Sequence, residues 1–348
     1  MNVVRIATHL RKYLIVYVIL VILIALPIGY YNASFFEAHK ETIKNVILSL
    51  AIGTLLPSMI QLRSEKMGKE LRFKLKEAIV TIVVIFIITP LLAMLFASRI
   101  GHKVIGIGYI AANVVPASSA SIAYVMLAGG NIELATVLVI LSILIALFTA
   151  PAYVALYAES VRVSLPITVL AQSVVIALLF PLVLGQIIRY FFIVRRASKL
   201  TQAYGEDIES LEDKIMKRIK PYLSIWTITF MLALIGVLIA NKAKLLISNP
   251  SLTLYIISAQ LAIYAVIILT LIAASKMLDI TYRDHMAIVF ISLTKNQSVA
   301  AAMAVLAIGS TAAIPAALIP AIQPLIAILY ISVSHTVKRI LREKGSIL

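Results

Sequence analysis

The sequence predicts an all-α polytopic membrane protein of ten transmembrane helices, built as two inverted five-helix repeats with a discontinuous fourth helix in each. Three observations carry that prediction. Hydrophobic residues make up 62% of the 348 and charged residues 13%, with a mean hydropathy of +1.04, a balance foreign to soluble domains. Apolar runs long enough to cross a hydrocarbon core of roughly 30 Å recur along the whole chain. Basic residues collect in alternate connections, which orients those runs.

In order, the spans fall approximately at 13–31, 43–62, 78–98, 104–128, 131–157, 166–193, 221–240, 252–275, 286–308 and 311–335. The first follows Arg5, Arg11 and Lys12, as a signal peptide's apolar region would. It is longer than such a region and lacks a clear small-residue cleavage site, so it reads as a span. Only Gly129-Gly130 divides the fourth from the fifth. Between Arg195 and Pro221 acidic and basic residues mix, while Ile208, Leu211, Ile215 and Ile219 recur at helical spacing. A short surface helix is expected there. This connection separates five spans from five, and five is odd, so homologous halves must point in opposite directions.

Most Lys and Arg residues lie at the two termini and after the second, sixth and eighth spans. The other side holds Lys40, Lys44, Arg99, Lys103, Arg162, Lys242 and Lys244. That bias predicts a plasma-membrane protein with both termini cytoplasmic, which requires an even number of spans. The net charge of +16 therefore reports topology, and no nucleic-acid partner is expected. The absence of cysteine excludes disulfides, thiolate metal ligands and cysteine nucleophiles, and no metal site is predicted. Nothing in the sequence fixes an oligomeric state.

Two spans are interrupted by polar residues. The ninth contains Ser292-Leu293-Thr294-Lys295-Asn296-Gln297-Ser298, in which Lys295 is the single charge of an apolar segment. A lysine there costs about 2.5–3.5 kcal/mol on insertion scales, and its depth, about nine residues in, makes snorkelling to the headgroups difficult. The fourth contains Asn113-Val114-Val115-Pro116-Ala117-Ser118-Ser119-Ala120-Ser121. Pro116 is expected to break the helix, with a new half-helix starting at Ala117 or Ser118. Its free N–H groups, with the hydroxyls of Ser118, Ser119 and Ser121, would suit an anion. The alternative is a tolerated kink whose serines bond back to their own helix. The second break is expected near Thr294–Gln297, where Thr294, Asn296, Gln297 and Ser298 all need partners in lipid. Paired interruptions in matching places point to a midplane site in a secondary carrier. Gln172, Gln186, Gln260 and Gln323 read as interhelical hydrogen-bonding groups, and Glu133 as a carboxylate favoured at a helix start.

At these two stretches the chain resembles the superfamily of bile acid:sodium symporters and the related arsenite-efflux carriers. A symporter pattern of Pro-Gly-Gly-Thr-Ala-Ser-Asn followed by Leu-Ala-x-Gly-Asn is similar to Pro116–Ser121 and Leu127-Ala128-Gly129-Gly130-Asn131. The pattern Gln-Asn-Ser-x-x-Ala is similar to Asn296-Gln297-Ser298-Val299-Ala300-Ala301. The resemblance implies one transporter unit over 1–348, with panel helices at approximately 13–62 and 166–240. Core helices at approximately 78–157 and 252–335 would carry the crossed, broken spans 4 and 9. Symporters hold sodium through positions that here are Ile122, Ala135, Val139 and Ser292, too few oxygens for the ion. The arsenite carriers share a basic residue beside an Asn, as in Lys295-Asn296, but their cysteine is missing here.

The function these readings predict is secondary active transport of a small organic anion by alternating access, without a sodium site. Lys295 would bind the anion or carry a coupled proton, because burial disfavours a lysine's charged form. Candidate substrate or coupling residues are Lys295, Asn296, Gln297, Ser298, Thr294, Ser118, Ser119, Ser121 and Asn113, with Pro116 breaking the helix. Its partners are a small anion and the lipid bilayer. The alternatives are an arsenite or metalloid exporter, a sodium-coupled symporter of the same superfamily, a channel, or a membrane-embedded enzyme. The enzyme is disfavoured because His9, His39, His102, His285 and His335 fall at span ends or in loops, and no span holds two acidic residues.

Overall fold

The computed structural model describes residues 3–62, 74–204 and 207–341. The basic connection from Arg63 to Arg72 lies outside the described residues, as does Glu206. An amphipathic helix, α1 (Val3–Lys12), precedes the first long apolar helix, α2 (Leu14–Tyr31). The short α3 (Ala33–Ala38) leads into α4 (Lys40–Gln61). Next come α5 (Leu75–Ala97) and two half-length helices, α6 (Lys103–Val114) and α7 (Ser121–Leu127). Then follow α8 (Ile132–Ser160), α9 (Ile167–Gln202), α10 (Ile208–Asn241), the short α11 (Ala243–Ser248) and α12 (Pro250–Met277). A second half-length pair is α13 (Tyr282–Leu293) and α14 (Gln297–Ala307). A 3-10 turn at Ser310–Ala313 feeds α15 (Ile314–Ser332), and α16 (Ser334–Leu341) closes the described chain. Among the described residues eight helices are long and apolar enough to cross a membrane, and the protein is all-helical.

Two of the long helices widen ahead of a proline. In α5 a π-turn covers Val84–Ile88 and Pro90 follows; in α9 a π-turn covers Val175–Leu179 and Pro181 follows. Proline lacks the N–H for the previous turn and its ring crowds that turn's carbonyl, so a wider turn relieves both problems. The carbonyl that Pro90 leaves without its N–H donor is that of Phe86, and the Tyr153 hydroxyl of α8 donates to it at 2.5 Å.

The connection expected to carry a separate surface helix departs from that expectation. Residues 208–241 form one 34-residue helix that runs straight through Pro221. The carbonyl that Pro221 frees belongs to Lys217, which is exposed, so water can meet it and the helix need not stop. Arg189, buried on α9, donates to Glu212 of that helix at 2.6 Å and ties the extension down. Asp207 caps its start by accepting from Ser210 N–H.

Helices α13 and α14 occupy the centre. Every residue from Asp284 to Leu293, and from Gln297 to Val305, is buried. Ala300, Ala301, Ala302 and Ala304 present backbone rather than bulk, so α4, α6 and α9 pack directly on α14. Large apolar side chains such as Phe148, Phe192 and Leu23 point outward, as lipid-facing positions do.

The tightest approach in this core is at Gly108 of α6. A Cβ there would lie 1.8 Å from the carbonyl oxygen of Ala312, so α6 touches the turn before α15 through bare backbone. Gly108→Ala should cost at least about 1–3 kcal/mol, the usual range for overpacking, and lower the thermal midpoint of the purified protein. Gly101→Ala, where nothing lies within 4 Å, should leave it unchanged.

Candidate functional site

Both half-helix pairs break at the same place and bind each other. Helix α6 ends at Val114, and Val115 is extended, with φ −67° and ψ 159°. Helix α13 ends at Leu293, and Thr294 is extended, with φ −102° and ψ 103°. The two extended segments run antiparallel, with Ala117 opposite Lys295. Ser118 N–H donates to the Thr294 carbonyl at 2.8 Å, and Asn296 N–H donates to the Pro116 carbonyl at 2.9 Å. Backbone groups left over by the breaks thus satisfy one another, which hydrocarbon demands.

This pattern makes Ala117 and Lys295 the non-hydrogen-bonded pair of the bridge, so their own N–H groups point away from the partner segment. Each finds a side chain on the following long helix. Ala117 N–H donates to Ser142 Oγ of α8 at 3.1 Å, and Lys295 N–H donates to Gln323 Oε1 of α15 at 2.8 Å. A second tie is the Gln297 amide, which donates to the Ala112 carbonyl at 3.0 Å.

With its backbone fixed, the Lys295 side chain is 3% exposed and its ammonium has no hydrogen-bond or ion-pair partner among the described residues. The centroid of the Phe86 ring of α5 lies 5.9 Å from Nζ, within cation–π range. Ser292 Oγ and Gln297 Oε1 are likewise buried without a partner. One donor group and two acceptor-capable oxygens thus lie unpartnered on residues 292–297.

The remaining expected residues are placed differently. Thr294 Oγ1 donates to its own helix at Phe290, and Asn296 and Ser298 are buried at the start of α14. The half-helix after Pro116 begins at Ser121, not at Ala117 or Ser118, and is only seven residues long. The reason is the bridge: Ala117 must stay extended opposite Lys295, and Ser118–Ala120 then turn the chain. Ser118 Oγ accepts from Ala120 N–H, and Ser121 Oγ donates to the Ser118 carbonyl, so both hydroxyls are engaged locally. Ser119 is half-buried in that turn. Asn113 exchanges two amide hydrogen bonds of 3.1 Å with Gln260 of α12, a structural clasp.

Of the other glutamines, Gln186 donates across to the Met59 carbonyl at 2.7 Å. Gln172 corrects the expectation for it: it is exposed and makes no interhelical bond among the described residues. It lies in the second turn of α9, close to the end of the span, where water is near. Sequence reasoning missed Ser142 and Phe86. A lone serine and a lone phenylalanine in apolar helices carry no distinguishing signal.

At the four positions compared with sodium ligands, Ile122, Ala135, Val139 and Ser292, the side chains supply one oxygen, Ser292 Oγ. The sequence model of the sodium bile acid symporter family matches residues 48–249. The chain belongs to the sodium bile acid symporter family. No curated protein matches it in sequence. The family match takes in α6, α7 and α8, hence the Pro116 break, and ends before α13 and α14. As members of this family are membrane transporters, the protein is a multi-pass membrane transporter of the symporter superfamily. Lys295 lies beyond the matched stretch, in the segment bridged to the break at Pro116.

Gln323→Leu keeps the bulk at that position and leaves Lys295 N–H buried without an acceptor. It should cost about 1–3 kcal/mol of stability, read as a lower thermal midpoint. Gln172→Leu on the exposed face should leave the midpoint where it is.

Proposed function

We propose that this symporter-family protein carries a small organic anion by alternating access, with Lys295 at the crossing of its two broken helices and no requirement for sodium. The observation that carries the proposal is the Lys295 ammonium, buried at the crossing with no carboxylate beside it among the described residues. An uncompensated buried charge costs several kcal/mol, and an anion entering the crossing offsets that cost. Ser292 Oγ and Gln297, one able to donate and both able to accept, would orient the ligand. Release of a proton from the same amine is the second way to relieve the charge, and the two combine if anion and proton travel together.

Sodium coupling is not part of this reading, because one side-chain oxygen at the compared positions falls short of the several oxygen ligands a hard cation takes. The ammonium stands where a bound cation's charge would be useful. The ten-span, inverted-repeat topology is supported by the matched breaks and by the paired backbone ties, Ser142 on α8 and Gln323 on α15. In that topology the panel comprises the helices over 13–62 and 166–240, and the core those over 78–157 and 252–335. The charge bias supports cytoplasmic termini in a plasma membrane.

Proteoliposome uptake of radiolabelled pyruvate, succinate and taurocholate tests the proposal. At least one should be taken up saturably, with counterflow, at the same rate when choline replaces sodium. Lys295→Ala should reduce that rate at least about tenfold, the scale of 1.4 kcal/mol, and Lys295→Arg should recover part of it if charge alone suffices. Uptake driven by a sodium gradient, or normal uptake by both variants, contradicts the reading.

A further inference from the structure

A second concentration of positive charge lies away from the crossing. A cavity of about 460 Å³ opens where the end of α2, α3 and the start of α4 meet α11, and its lining includes Lys40, Lys242, Lys244, Glu37, His102 and Thr311. The lining joins the α2–α4 and α10–α11 elements to the start of α6 and to the turn before α15. Three of the few lysines and arginines assigned to the face opposite the basic connections converge on it. Topology does not explain that clustering, since the positive-inside rule depletes this face of such residues.

Local helix electrostatics do not explain it either. Lys242 follows the end of α10, where a cation is favoured, but Lys40 begins α4 and Lys244 sits in the first turn of α11. At helix starts a cation is disfavoured. None of the three ammoniums has a carboxylate within 4.0 Å among the described residues. Burial, and then Lys40, push the Lys242 ammonium below its ordinary pKa, with Glu37 offsetting only part of that. Three lysines against Glu37 leave an excess of two positive charges around one opening, the complement of a dicarboxylate.

We propose that this cavity is a binding site for a small soluble dicarboxylate on the external face, separate from the crossing, with Lys40, Lys242 and Lys244 as its cationic groups. That this face is external rests on the proposed orientation; the binding does not. Such a site raises the local anion concentration where the α2–α4 and α10–α11 elements meet the ends of the broken-helix segments.

The test uses the full chain carrying Lys295→Ala, in phosphatidylcholine nanodiscs at low ionic strength, with radiolabelled succinate in equilibrium dialysis. Removing Lys295 keeps the crossing out of the measurement, so failure here is distinguishable from failure of the transport reading. Succinate should bind saturably and more weakly as salt rises. Neutralising all three lysines to Gln should weaken it at least about tenfold, and Arg99→Gln, on the same face but outside the cavity, should not change it. Glu37→Gln should tighten it, a gain that misfolding cannot imitate. Absence of saturable binding, or the same affinity in the triple variant and in Glu37→Gln, overturns the proposal. Loss of succinate binding when phosphatidylglycerol replaces phosphatidylcholine assigns the cavity to a lipid headgroup and overturns it as well.

Discussion

The bridge between Ala117 and Lys295 is the constraint on which the rest of the core depends. Two helices stop inside the buried core, and each stop strands N–H and carbonyl groups where water cannot serve them. The Ser118–Thr294 and Asn296–Pro116 hydrogen bonds solve that problem by pairing one break with the other. The solution fixes more than backbone. It directs the two outward N–H groups to Ser142 and Gln323, and so ties α8 and α15 to the crossing. It also sets the residue opposite Ala117, and that residue is a lysine. Backbone geometry holds the ammonium at the crossing, and among the described residues it has no charge partner.

Small residues make this arrangement possible. Ala117 gives the bridge room at its closest pairing, the alanines of α14 admit α4, α6 and α9, and Gly108 lets α6 meet the turn at Ala312 through backbone alone. At one end of the core a polar cluster finishes the job. Asp284 takes hydrogen bonds from Lys74, Asn131 and Thr281, and Asn131 also caps α8. The Gly129-Gly130-Asn131 stretch earns its place there: Gly129 has φ +67°, and a Cβ on Gly130 would lie 2.9 Å from that of Met286.

Much of this was legible in the sequence, for physical reasons. Long apolar runs and polar interruptions are strong signals, because hydrocarbon tolerates neither a short span nor an unpaired backbone group. Thus Pro116 and the Thr294–Gln297 stretch mark segments that the structure leaves non-helical at Val115–Ala120 and Thr294–Asn296. What stayed hidden was the partner of each break. Sequence at Ala117 says nothing of an antiparallel bridge, so the half-helix expected from Ala117 or Ser118 starts instead at Ser121, after a turn in which the Ser118 and Ser121 hydroxyls make local hydrogen bonds. Pro221 misled in the other direction. A proline removes one N–H and crowds one carbonyl, but where that carbonyl lies at an exposed residue, as at Lys217, water can meet it and the helix can continue.

The central claim is that the Lys295 ammonium is the partner of the transported anion. Solid-state NMR tests it most directly, by measuring dipolar coupling between a ¹³C-carboxyl label on the transported anion and ¹⁵Nζ-lysine in the reconstituted protein. A charge-assisted contact of about 2.8 Å between nitrogen and oxygen places the carboxyl carbon within about 4 Å of Nζ and gives a strong coupling. That coupling should vanish in Lys295→Arg, which carries no lysine nitrogen at the crossing. No coupling in the native protein, or a coupling that survives the substitution, would place the anion elsewhere and remove Lys295 from the centre of the mechanism.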